Sequence, residues 1–91
     1  LAKQGEGADF VSAGHTARNG KIPFNTTGGL VGWGHPTGAS GVRQAVTIWE
    51  QLTRKAGKAQ IEVPGTRPYA LSISMGGNDR TVVAIVYRRA S

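Results

Sequence analysis

The chain contains no cysteine, which excludes disulfides, thiolate metal sites and any cysteine nucleophile of its own. Acidic residues are scarce as well: 5 Asp and Glu stand against 11 Lys and Arg, a formal net charge of +6. Such a balance suits anionic partners such as nucleic acid, anionic lipid or phosphorylated cofactors. The positive charge is not gathered into one run, however. Arg54, Lys55 and Lys58 cluster together, while Arg67, Arg80, Arg88 and Arg89 are scattered through the last third. No aromatic residues alternate with these cations as base-stacking platforms would, so nucleic-acid binding is not expected. Neither an apolar run of membrane-spanning length nor a signal-peptide pattern is present. A soluble, cytoplasmic protein with no membrane role and no bound metal is the expectation.

With 91 residues the chain has room for one small domain, residues 1–91, and a thin core. A domain of this size buries roughly 60–65% of its unfolded surface. The 14 glycines spend much of that length on turns, which implies that the piece leans on something larger. The chain opens on Leu1 rather than methionine and reads as a processed or cleaved product.

Ala8, Phe10, Val11 and Ala13 mark one or two amphipathic helical turns between Gly7 and Gly14. Arg18-Asn19-Gly20-Lys21 is a turn signal, and Ile22-Pro23-Phe24-Asn25 reads as extended, its proline favouring an edge. Residues from Thr26 to Gly38 form a glycine-punctuated loop that holds Trp33 and His35. A helix follows. Val42, Ala45, Val46, Trp49 and Leu52 recur at steps of three and four, giving one apolar stripe. Thr37 or Ser40 is placed to cap its start, Arg54 and Lys55 occupy its last turn, and Gly57 lies just beyond. Pro64-Gly65 marks a turn in the connection that follows. Tyr69 to Met75 and Thr81 to Arg88 are strands joined by Gly76-Gly77-Asn78-Asp79-Arg80, a length that suits a hairpin. The unbroken run from Val82 to Val86 predicts burial on both faces of the second strand.

The glycine-rich segments lack the lysine of a phosphate loop and the spacing of a dinucleotide fingerprint. What stands out is His35, one step before Pro36, leading through Gly38, Ala39 and Gly41 into a helix. Small residues make a poor first helical turn unless something approaches the backbone closely. A helix start presents unpaired amides and partial positive charge. A histidine folded against that end can accept a proton or donate a hydrogen bond. As a loop histidine with no such neighbour, His35 would be inert.

Asn25-Thr26-Thr27-Gly28-Gly29-Leu30 followed by Gly34-His35-Pro36-Thr37-Gly38-Ala39-Ser40-Gly41 resembles the thiolase pattern of an NxxGG turn and a GHPxGAxG element. The helix, the Pro64-Gly65 connection and Ser74-Met75-Gly76-Gly77 before a final apolar strand keep the family's order. The resemblance therefore runs from about Ala8 to Arg89. It implies an α/β fold, the C-terminal part of a thiolase-like domain, with one main helix packed on a small mixed sheet. It also implies an acyl-CoA acyltransferase in which His35 is the catalytic histidine that activates a nucleophilic cysteine. Gly76 matches the glycine whose amide lines an oxyanion site. Coenzyme A thioester is then the substrate, nothing is covalently bound, and a homo-oligomer is expected.

Ser74 departs from the family, which has a proton-shuttling cysteine there. A serine hydroxyl does not ionise near neutral pH and cannot replace it as a base. The departure is similar to the sterol-carrier-protein-type thiolases, where that cysteine comes from a His-Asp-Cys-Phe segment upstream of the region matching Leu1. The nucleophilic cysteine and the acyl-CoA loops belong to an N-terminal half absent from this sequence, so the chain alone is expected to be inactive. A reading from another class is a thiolase-like scaffold without catalysis, prompted by Ser74 and opposed by the presence of His35. His15 is expected to be a surface residue with no chemical role.

Overall fold

The computed structural model describes residues 2–63, 65, 68–76 and 80–90. These fall into two compact units, one ending at Gly34 and one starting at His35. Pro64 of the expected turn, and Gly77, Asn78 and Asp79 of the hairpin loop, lie outside the described residues.

In the first unit, α1 (Gly7–Ser12) is the short amphipathic helix predicted from the sequence. The extended segment expected after it is present but assigned to no strand. The Ile22 and Phe24 amides donate to the His15 and Thr16 carbonyls at 2.8 and 3.1 Å, a pairing too short to propagate. His15 stacks beside Phe10 with ring centroids 4.7 Å apart, which gives it a packing role. The long loop expected from Thr26 contains a helix, α2 (Gly29–Trp33). Its two glycines hide it from propensity. Tertiary bonds make it instead: Gly28 turns the chain at φ 103°, and the Trp33 indole N–H donates to the Thr27 carbonyl at 2.7 Å.

The second unit is built on α3 (Ser40–Leu52) and a hairpin of β1 (Tyr69–Gly76) and β2 (Thr81–Arg88). The helix-on-sheet arrangement is the one predicted, and the sheet among the described residues is an antiparallel pair. Neither Thr37 nor Ser40 caps α3. Ala39 takes that place without a side-chain bond, and Ser40 is the first helical residue. At the other end Arg54, not Gly57, terminates the helix in a left-handed conformation, φ 61°. The Lys55 amide reaches back to Glu50 and the Arg54 amide to Gln51, the paired bonds of a Schellman turn.

The connection after α3 is strapped to it by two glutamines. Buried Gln51 donates through Nε2 to the Ala59 carbonyl at 2.9 Å and accepts the Ile61 amide at 3.0 Å on Oε1. Gln60 returns the arrangement, donating to the Gln51 carbonyl at 3.0 Å. The strap carries Val63 to a buried position, as Leu52 is, and these two form the apolar core among the described residues. Burying Gln51 rotates α3 relative to the predicted stripe. Ala45 and Ile48 turn inward, whereas Val42, Val46 and Trp49 are exposed, with the Lys55 ammonium 4.9 Å over the Trp49 ring.

β1 approaches the first turn of α3 at one point, Gly41. A Cβ there would stand 3.4 Å from the Ser74 Oγ, an ordinary contact, so a side chain larger than alanine's would crowd the strand. The register pairs Ser74 with Val83 and Ser72 with Ile85, which puts these residues on the face toward α3. The opposite face carries Tyr69, Leu71, Ile73, Met75, Val82 and Val86, all exposed. The two-faced burial predicted for β2 is not found: Val83 and Ile85 on the face toward α3 are exposed as Val82 and Val86 are, because the helix packs on β1.

Three outcomes follow from this packing. Gln51→Ala leaves the Ala59 carbonyl and the Ile61 amide without partners and lowers unfolding free energy by about 1–3 kcal/mol in urea titration. Gly41→Val crowds its branched side chain against the Ser74 hydroxyl and costs about 1–3 kcal/mol in the same assay. The purified chain self-associates through the bare sheet face, giving a light-scattering mass that rises with concentration. Val86→Lys, at the centre of that face, reduces the rise.

Candidate active site

The site is built at the mouth of α3. Pro36 has no amide to bond, and its carbonyl receives the Ala39 and Ser40 amides at 2.7 and 3.0 Å. This tight turn brings Ser40 back beside His35, with Nδ1 2.7 Å from the Ser40 Oγ. The same hydroxyl lies 3.3 Å from the Pro36 carbonyl and donates to it. Ser40 is buried and the His35 imidazole is exposed. No described residue bonds Nε2, which leaves that nitrogen available at the surface.

Ser74 reaches the same helical turn from the sheet. Its hydroxyl donates to Gln44 Oε1 at 3.3 Å and lies against Gly41, next in sequence to Ser40. Between α3 and this strand face runs a groove of about 500 Å³, lined by Thr37, Gly38, Gly41 and Val42 on one side and Ser72, Ser74, Val83 and Ile85 on the other. Its floor is mixed: the serine hydroxyls alternate with the valine and isoleucine of β2. Ser72 is fixed there by the Tyr87 hydroxyl at 3.3 Å.

His35 and Gly76 do not line this groove. Gly76 stands two residues beyond Ser74 on β1, about 7 Å along a strand, and is paired with Thr81. The Arg89 amide donates to the Pro68 carbonyl at 3.0 Å, and this bond fixes the parity of the ladder. Opposed residues exchange bonds at every second position, so 70/87, 72/85, 74/83 and 76/81 are the bonded pairs. The Gly76 amide is thus directed at the Thr81 carbonyl, in the last rung before the hairpin loop.

Two participants escaped the sequence reading. Ser40 was assigned to a cap, and Gln44 lay off the apolar stripe. The signal for Ser40 was its spacing, four residues after Pro36, from which a hydroxyl in a first turn bonds back to the i−4 carbonyl. Nothing in the sequence signals the Gln44–Ser74 bond, which joins residues 30 apart. Asn25 belongs to the first unit, where its carbonyl closes the turn onto the Gly28 amide at 2.9 Å. Among the described residues there is no group of three His, Asp or Glu side chains able to hold a metal ion.

The chain is 36% identical over 89 residues to an acetyl-CoA acetyltransferase of Methanothermobacter thermautotrophicus, an alignment covering 98% of the chain and 22% of that protein. It is 39% identical over 85 residues to sterol carrier protein 2 of Homo sapiens, covering 93% of the chain and 15% of that protein. With the benzoylsuccinyl-CoA thiolase subunit BbsB of Thauera aromatica it shares 32% over 77 residues, 85% of the chain and 20% of that subunit. The chain thus spans between 15% and 22% of the length of these relatives. Residues 1–89 match the family described as thiolase C-terminal domain-like, and to that family the chain belongs.

Proposed function

We propose that the chain is the C-terminal portion of a thiolase-type acyltransferase that acts on acyl-CoA thioesters by Claisen condensation or thiolysis. The observation that carries this reading is His35, an exposed imidazole tied down at Nδ1 and open at Nε2, inside the GHP element of a thiolase-family chain. Coenzyme A thioester is the substrate, and no group is held covalently by this chain. The acylated cysteine is supplied by an N-terminal half, on the same polypeptide or another, because this chain has none. The working assembly is a cytoplasmic homo-oligomer.

In this reading His35 accepts the thiol proton at Nε2, which makes the thiolate competent to attack the thioester. The resulting imidazolium then donates Nε2–H toward the oxygen on which charge develops. The Gly76 amide is the second donor. It serves once the terminal rung with Thr81 opens, an opening favoured where a ladder ends in a loop. The mouth of α3 adds partial positive charge on the same side as His35. Ser74 moves no proton, since its hydroxyl is committed to Gln44.

The assay is thiolysis of acetoacetyl-CoA, followed by loss of its absorbance. The chain by itself gives no turnover above background, and activity appears on combination with the N-terminal half. In that combination His35→Ala lowers kcat by about 10²–10⁴. Gly76→Pro, which deletes the amide, lowers it by about 10²–10³, while Gly76→Ala, which keeps the amide, has a small effect. Turnover by the chain alone that vanishes in His35→Ala would defeat the division of labour. A folded, complete assembly without thiolysis would favour the scaffold reading that the loss of cysteine at position 74 suggests.

A further inference from the structure

The Ser40 hydroxyl has one proton and two neighbours, His35 Nδ1 at 2.7 Å and the Pro36 carbonyl at 3.3 Å. A carbonyl only accepts, whereas Nδ1 either accepts or donates. Both contacts are hydrogen bonds at the same time in a single arrangement. Ser40 gives its proton to the Pro36 carbonyl, and Nδ1–H of His35 donates to the Ser40 Oγ. Ser40 is only 6% exposed, so water does not readily substitute for either partner.

We infer that Ser40 is a positioning residue that fixes His35 as the Nδ1–H tautomer and leaves Nε2 unprotonated and facing outward. Free imidazole side chains prefer the other tautomer, so the hydroxyl reverses an intrinsic preference. The consequence rests on the function proposed above. When a thiol S–H bond breaks, its proton forms a bond to the Nε2 lone pair, and the electron pair stays on sulfur. Nδ1–H meanwhile remains on the Ser40 Oγ. Ser40 is therefore an acceptor for both the neutral and the charged ring, and no hydroxyl has to turn during the transfer. The opposite tautomer would present Nε2–H, a donor with no lone pair to receive the proton.

The test reads the tautomer directly, without substrate. Long-range ¹H–¹⁵N correlation spectra are recorded on the full-length protein labelled in its histidine imidazoles, at a pH where the ring is neutral. The His35 signals are assigned by their loss in His35→Gln. The expected wild-type pattern has a protonated Nδ1 and an unprotonated Nε2. Ser40→Ala reverts to the Nε2–H pattern, and Ser40→Thr, which keeps the hydroxyl, retains the wild-type one. A wild-type spectrum showing Nε2–H, or one unchanged in a folded Ser40→Ala protein, would overturn the inference. If Ser40→Ala does not fold, the wild-type and Ser40→Thr spectra decide it. Because no thioester is present, failure here is separable from failure of the thiolysis assay.

Discussion

The second unit depends on how closely β1 can approach the first turn of α3. At Gly41 a Cβ would just touch the Ser74 hydroxyl, and a larger side chain would crowd it. Ser40, one residue earlier, turns back to hold His35. One helical turn thus does two jobs: one residue bonds the imidazole while the next seats the strand. The small residues that weaken this turn as a helix start are what allow a hairpin and a loop histidine to share it. A larger residue at 41 crowds the Ser74 hydroxyl first.

Much of the site was legible from the sequence because its parts are local. His35, Pro36 and the glycines following them lie within one turn of α3, and the strand boundaries followed from β-branched runs ended by glycine and asparagine. What escaped was set by tertiary contact. The apolar stripe of α3 placed Val42, Val46 and Trp49 inward, yet Gln51 occupies the covered face. A buried glutamine carries no periodic signal; its position is settled by the Ala59 and Ile61 backbone groups that it bonds. α2 escaped for the same reason, being held by an indole-to-carbonyl bond rather than by propensity. The expected two-sided burial of β2 followed from composition, but α3 packs on β1 and leaves both faces of β2 exposed.

That bare face and the outer ridge of α3 have a common physical reading. Tyr69, Leu71, Ile73 and Met75 on the sheet, with Val42, Val46 and Trp49 on the helix, are about half exposed, so covering each would add roughly half of the 1.5–3 kcal/mol that full burial of such a side chain gives. With Leu52 and Val63 as the apolar core, the described residues draw little of that stabilisation from themselves. On the proposed reading, the surfaces belong to contacts with the N-terminal half, on the same polypeptide or another; the chain spans between 15% and 22% of the relatives it matches. The thin core and the missing cysteine are then one fact seen twice: both the packing and the reactive atom lie elsewhere.

Ser74 limits how the chemistry is divided. A condensation or its reversal moves two protons, one at the attacking thiol and one at the carbon or the leaving group. On the proposed reading His35 supplies one acceptor. The other position that the family pattern would assign is a hydroxyl already donating to Gln44. Freeing it would break the bond that helps hold β1 to α3, and the freed group would still not ionise near neutral pH. The second proton mover on the proposed reading must therefore arrive with the same half that brings the nucleophile. On that reading this chain contributes less: the His35 imidazole held by Ser40 at the mouth of α3, and the Gly76 amide at the end of the ladder.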